Sequence, residues 1–250
     1  MALTSIVGFL MAFLFIVWAI ATQGGIARLI SFLEFGSFVL VFGCSIGALI
    51  INYTFKEIWS ALKSVKYLFV AKPTAPEKII DLLVNMAIRA RKEGFLSLRE
   101  EATMTNLPLL GLGIGLIADG TDPEVTRQIL ETAANSEATQ ISLSETIWRD
   151  LSVYAPMFGM LGTVIGLIIM LRSLSDPASI GPAMSLALIT TFYGLLIAAI
   201  ICIPTAGKIH NYNERLSLLR TLIIEGLLSI QAGDNSYIVE EKLKAYLIKR

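Results

Sequence analysis

The chain has 250 residues, of which 55% are hydrophobic and 16% charged, with a mean hydropathy of +0.70. A water-soluble domain of this length has no single core large enough to hide that much apolar surface, so the composition points to a membrane protein. With 20 basic and 20 acidic residues the formal net charge is zero, which removes the electrostatic basis for a nucleic-acid partner.

The charges are segregated: only Arg28, Glu34, Arg172 and Asp176 lie outside residues 56–150 and 205–250. Four uncharged stretches reach the roughly 20 residues that a helix needs to cross the hydrocarbon core. The first, Leu3 to Ala21, has no basic leader and no small-residue cleavage site, so it reads as a retained helix rather than a signal peptide. The second, Phe35 to Tyr53, is followed by Lys56, Lys63, Lys66 and Lys72, whereas the link before it carries only Arg28 and Glu34. That excess of lysine assigns the middle of the chain to the cytoplasm.

In the middle segment, Thr74-Ala75-Pro76-Glu77 has capping-box spacing. Behind it Ile79, Leu82, Leu83, Met86, Ala87 and Ala90 share a helical face that ends at Gly94. Ser97 with Glu100 repeats the capping spacing, and so does Thr121-Asp122-Pro123-Glu124, where an early proline costs no interior hydrogen bond. Between them Leu107 to Ala118 is apolar, but its twelve residues would span only about 18 Å, so it reads as a buried cytoplasmic helix. From Glu124 no proline intervenes before Pro156, which predicts one long helix running into the third span.

The third and fourth spans, Val153 to Leu171 and Ile180 to Pro204, are joined by a link carrying only Arg172 and Asp176. Lys208, Arg215 and Arg220 follow the fourth, so both termini are expected inside. A helix over Tyr212 to Gln231 is expected to leave the fourth span as a stalk. The expected fold is therefore all-α: an integral membrane protein with four transmembrane helices and a helical cytoplasmic domain. It divides into a hairpin (1–55), a cytoplasmic domain (56–150), a second hairpin (151–205) and C-terminal cytoplasmic helices (206–250).

Gly159, Gly162 and Gly166 fall on one face of the third span with Thr163 beside them, and the fourth aligns Ala183, Ala187, Thr190, Gly194 and Ala198 with Thr191 and Tyr193 adjacent. Two readings are open: small residues that let helices pack closely, or a polar lining for an ion path. None of the four spans contains Asp, Glu, Lys, Arg or His, so the chain alone has no titrating group in the membrane. Any conducted ion needs an acid from another subunit, with hydroxyls and carbonyls here as solvating oxygens. Cys44 and Cys202 sit in apolar stretches as packing residues, and no nucleophile with a base, carboxylate pair or metal-ligand set suggests an enzyme or a bound cofactor.

The stretches Pro156-Met157-Phe158-Gly159-Met160-Leu161-Gly162-Thr163-Val164-Ile165-Gly166-Leu167-Ile168 and Ala187-Leu188-Ile189-Thr190-Thr191-Phe192-Tyr193-Gly194, with Gly36 to Gly43, Arg91 to Leu98, Asp119 to Glu124 and Glu225 to Gly233, resemble blocks of the MotA/PomA family of flagellar stator subunits. The resemblance implies a pentamer in the bacterial inner membrane around a dimer of a MotB/PomB-type single-span partner, which brings the ion-binding aspartate. It also implies that Pro156 and Pro204 couple ion flow to motion, and that Thr163 and Thr191 face the ion path. Arg91, with Lys92, Arg99 and Glu100 around it, would engage the rotor protein FliG. Two positions depart from the family pattern: Arg99 stands where an acidic residue is usual, and Gly36 where a proline is common.

The transported ion, H+ or Na+, stays open, because two hydroxyls suit a partly dehydrated Na+ or a water that carries a proton. The rival readings are an energiser of the TolQ/ExbB type, which resembles the family only in its last two spans, and a non-conducting membrane scaffold.

Overall fold

The computed structural model describes residues 2–22, 30–66, 74–99, 107–172 and 175–248, and among them every regular element is helical. The helices are α1 (Ala2–Thr22), α2 (Phe35–Asn52), α3 (Phe55–Ser64), α4 (Pro76–Glu93), α5 (Pro108–Ala118), α6 (Pro123–Arg172), α7 (Pro177–Gln231) and α8 (Ser236–Ile248). They form two compact units: Met1–Ala71 with Ser142–His210, and Lys72–Ile141 with Asn211–Arg250.

The first unit holds α1, α2, α3, the later part of α6 and the earlier part of α7. Its large apolar side chains point outward: Phe13, Leu14 and Trp18 on α1, Met157, Met160 and Val164 on α6, and Leu188 and Leu195 on α7 are all exposed. About half to two-thirds exposed, each would forfeit roughly half or more of the about 1.5–3 kcal/mol that full burial of such a side chain is worth, so this surface belongs in hydrocarbon. The helices α2, α6 and α7 are each long and apolar enough to cross a membrane.

Two helices of this unit are not uniformly α. A wider π turn occupies Val39–Gly43 within α2, and another occupies Ile197–Cys202 within α7, ending two residues before Pro204. Proline lacks an N–H and its ring presses on the carbonyl four residues back, which a wider turn accommodates. Hydroxyls take up carbonyls in both places: Ser45 Oγ donates to Val41 O at 2.6 Å and Thr205 Oγ1 to Ile201 O at 2.5 Å.

The second unit has an ordinary core. Leu83 and Met86 of α4, Leu110 and Ile114 of α5, Leu130 of α6, Leu222 and Leu227 of α7 and Leu243 of α8 are fully or almost fully buried. The apolar stretch after Leu107 is thus a core helix of this unit, and α6 and α7 run unbroken over the long stretches the sequence suggested.

The helix starts differ from the expected caps. Ala75, with no side-chain cap, begins α4 because Pro76 supplies the first helical residue. At α6 Asp122 rather than Thr121 caps, accepting from Glu124 N at 2.9 Å, while the Thr121 carbonyl accepts from Gln231 Nε2 at 2.6 Å. Ser97 sits in a 3-10 turn, Phe95–Leu98, where its hydroxyl donates to Gly94 O at 2.7 Å, and Glu100, its expected capping partner, lies outside the described residues.

Candidate functional site

The seam between α6 and α7 is built from the glycine face that the sequence displays. A methyl group placed on Gly159 would come within 2.9 Å of Thr190 O, on Gly162 within 2.5 Å of Thr190 Cβ, and on Gly166 within 2.7 Å of Ala183 O. From the other side, one on Gly194 would meet Ala155 O at 2.5 Å and Pro156 Cα at 3.1 Å. The two helices therefore touch along about three turns, as small residues permit in lipid.

Within this seam Thr163 and Thr191 come together. Their hydroxyls bond to each other, Thr163 Oγ1 also donates toward Ala187 O (3.1 Å) or Gly159 O (3.2 Å), and Thr191 Oγ1 lies 3.3 Å from Gly159 O. The result is a cluster of two hydroxyls and two carbonyls, both threonines half-buried, with one proton per hydroxyl to share among the acceptors. Such a cluster can reorient its protons without moving the backbone. Thr190, next in sequence, is fully buried, seats on Gly162, and bonds back to Leu186 O and Ala187 O at 3.0 Å.

Tyr193 is drawn away from the threonine pair. Its hydroxyl donates to Phe32 O at 2.5 Å and accepts from Glu34 N at 3.0 Å, so it fastens the lead-in of α2 to α7. Phe192 packs edge-on against Phe32, and Tyr193 against Phe38. Glu34 caps α2 by accepting from Ser37 N at 2.6 Å, and hydrogen bonding by Ser37, helped by Gly36, holds its carboxyl below the usual range in spite of desolvation.

Pro156 lies inside α6 beside Gly194, half-buried, and Pro204 is exposed just after the π turn of α7. In the second unit Arg91 and Lys92 are exposed on the last turn of α4. Arg99 is exposed and paired with Asp119, so the basic residue at the usually acidic position is partly neutralised by the block after α5. Glu100 lies outside the described residues.

Five polar links escaped sequence reasoning. At the end of α2, Asn52 Nδ2 donates to the Tyr154 hydroxyl at 2.8 Å and Tyr53 to Asp150 Oδ2 at 2.7 Å. Further along, Glu145 takes Arg149 at 2.6 Å and His210 at 3.1 Å, and buried Trp148 donates to Ala61 O at 2.9 Å. The only signal in the sequence was composition: aromatic hydroxyls, amides and charges concentrated where the spans end.

These features define a helical membrane subunit whose tightest seam carries hydroxyls and no charge. Residues 97–221 match the MotA/TolQ/ExbB proton channel family. Chemotaxis protein PomA of Vibrio alginolyticus is 34% identical over 247 residues, covering 99% of this chain and 96% of its own. The fold matches the structure of C. jejuni MotAB with a TM-score of 0.88 at 23% identity, covering 98% of this chain and 96% of that one. It matches the flagellar MotAB stator complex from Bacillus subtilis with a TM-score of 0.86 at 26% identity, covering 97% and 94%. The chain belongs to the MotA/TolQ/ExbB proton channel family, and its likeness to PomA extends over α1 and α2, ahead of the residues the family match covers.

Proposed function

We propose that the chain is the ring-forming subunit of a flagellar stator, which turns H+ or Na+ flow into torque on the rotor. Similarity to PomA over almost the full length and to MotAB complexes in fold supports the stator reading over a TolQ/ExbB-type energiser. The finer assignment has five copies around a dimer of a MotB/PomB-type partner in the bacterial inner membrane, with residues 56–150 and 206–250 and both termini in the cytoplasm. The helix α1 is the fourth span: its 21 uncharged residues would reach about 31 Å, the thickness of the hydrocarbon core.

The observation that carries the mechanism is the Thr163–Thr191 hydroxyl pair in a seam without ionisable groups. An acid brought by the partner would load the ion, and these oxygens would complete its shell or hold its water. The small residues Gly159, Gly162 and Gly166 keep the two helices in register, and Thr190 and Tyr193 fix α7 against its neighbours. Loading and release then change the load on α6 and α7, where Pro156 and Pro204 interrupt the hydrogen-bond ladder and let each helix bend. Arg91, Lys92, Arg99 and Glu100 pass the movement to FliG. One elementary charge falling through 100 mV releases about 2.3 kcal/mol, more than the roughly 1.4 kcal/mol that shifts a two-state equilibrium tenfold.

The test is ion flux in liposomes holding the chain with and without its partner, read beside swimming speed as Na+ is replaced by K+ across a range of pH. Flux is expected only with the partner. Selective flux through the chain alone, or full torque from Pro156→Ala and Pro204→Ala together, would refute the mechanism.

A further inference from the structure

The short helix α3 takes no part in the mechanism above, yet it is the most amphipathic element of the first unit. It begins two extended residues after α2 ends, and a complete capping box between Thr54 and Glu57 starts it. One side is fixed inward: Ala61 and Ser64 are buried, and the Ala61 carbonyl accepts the Trp148 bond. The other side presents Phe55, Trp59 and Leu62, at helical steps of four and three, which are 73%, 61% and 50% exposed. Two aromatics and a leucine on one face form an apolar stripe that water does not stabilise.

Charge borders that stripe. Lys56 and Lys63 lie along one edge, Lys66 follows one turn after Leu62, and Lys63 Nζ stands 5.8 Å from the centre of the Trp59 ring. The helix has one carboxylate, Glu57, and it is turned back onto Thr54, accepting from its backbone N–H and its hydroxyl at 2.8 Å. The exposed side is therefore apolar and basic with no acid facing out. An apolar stripe with a tryptophan, lysines at its edge, and direct continuity with a membrane-crossing helix matches the boundary between acyl chains and headgroups.

We propose that α3 is a binding surface for anionic phospholipid, with Phe55, Trp59 and Leu62 seated among the acyl chains and Lys56, Lys63 and Lys66 selecting the headgroup phosphate charge. Lysines near a membrane surface each add about 1 kcal/mol of attraction for anionic lipid, and Lys56 and Lys63 on the helix, with Lys66 two residues beyond its end, give a preference without sequestering the lipid permanently. A two-fold contact with a second copy of the chain is a poorer occupant, because the lysines around the apolar stripe would face their own image there, and a contact around the ring is tested by the cross-linking below.

The experiment uses the full chain with its partner in vesicles of phosphatidylcholine carrying about one phosphatidylglycerol in four. Tryptophan emission is read with bromine on the acyl chains of one lipid or of the other at equal mole fraction, and the Trp59→Phe variant gives the part due to Trp18 and Trp148. Quenching of Trp59 by the brominated anionic lipid is expected to exceed that by brominated phosphatidylcholine about twofold, and the excess should vanish in the Lys56→Gln, Lys63→Gln, Lys66→Gln variant. Equal quenching by both lipids overturns the proposal. So does no quenching by either, with disulfide cross-linking of Phe55→Cys between two copies. The readout needs no ion flow, so it stands or falls separately from the stator reading.

Discussion

The two units are built from the same kind of helix and held together in opposite ways. In the membrane unit the large apolar side chains face out and the α6–α7 seam rests on glycine against backbone, with Gly194 close to Ala155 O and Gly166 to Ala183 O. In the other unit Leu83, Leu110 and Leu227 face in, and ion pairs such as Arg127 with Glu225 at 2.8 Å lie at the surface. The solvent explains the inversion. Hydrocarbon gives leucine no reason to hide, so close backbone approach and hydroxyl bonds must supply the attraction, whereas water drives the same leucine inward.

The largest effect that would break this contrast is in the water-facing unit. Leu83→Ala removes a fully buried side chain and is expected to cost about 2–5 kcal/mol, read as a lower urea midpoint of the purified protein by circular dichroism. Next comes a matched pair of glycine substitutions. Gly194→Ala would drive a methyl group to 2.5 Å from a backbone oxygen that has nowhere to go, while Gly113→Ala meets the tip of Leu227 at 2.4 Å, which can rotate away. The expected penalty is about 1–3 kcal/mol for the first and clearly less for the second, judged by thermal aggregation in detergent. Equal penalties would mean that the seam is no more rigid than the core.

A smaller effect is expected from Tyr193→Phe, which takes partners from Phe32 O and Glu34 N. A loss of about 0.5–1.5 kcal/mol should appear as faster hydrogen exchange at Glu34 and Phe35, with α4 and α5 unchanged. The smallest effect is a pH dependence. Hydrogen bonding from Lys242, at 2.7 Å, holds the Asp234 carboxyl below its usual value. Because the folded value is the lower one, the stabilisation is present above the unfolded value of about 3.9 and is lost as pH falls through the folded value. Asp234→Asn should flatten that acid limb of the unfolding midpoint while leaving neutral behaviour close to the parent. A limb that persists in the variant assigns it to other carboxylates.

Length and lack of charge made the long apolar helices legible in the sequence, because a span is a one-dimensional property. The glycine face was legible too, since steps of three and four align on any helix. The residues alone left open whether that face packs or conducts, and the structure brings Gly162 onto Thr190 and Thr163 onto Thr191, both encounters across two helices. Tyr193 was readable as a polar residue beside small ones, but its partner Phe32 O is 161 residues away, and no local pattern encodes such a meeting. The π turns were hidden because hydropathy does not record which carbonyl an N–H chooses, and Pro204 was the one trace of the second. At the caps, Asp122 displaced Thr121 because the proline that follows sets the first helical residue one position later.

The π turn at Ile197–Cys202 also changes what α7 presents along its length. A wide turn holds more residues per revolution, so side chains beyond it are phased back relative to those before it. Thr190 and Gly194 keep one bearing upstream, and Ala206 and Ile209, both buried, take an independent bearing downstream. A single uninterrupted α spiral would lock the bearing of the second stretch to that of the first at about 100° per residue. The bulge thus works like a spliced shaft, letting selection retune one end of α7 without re-aiming the other.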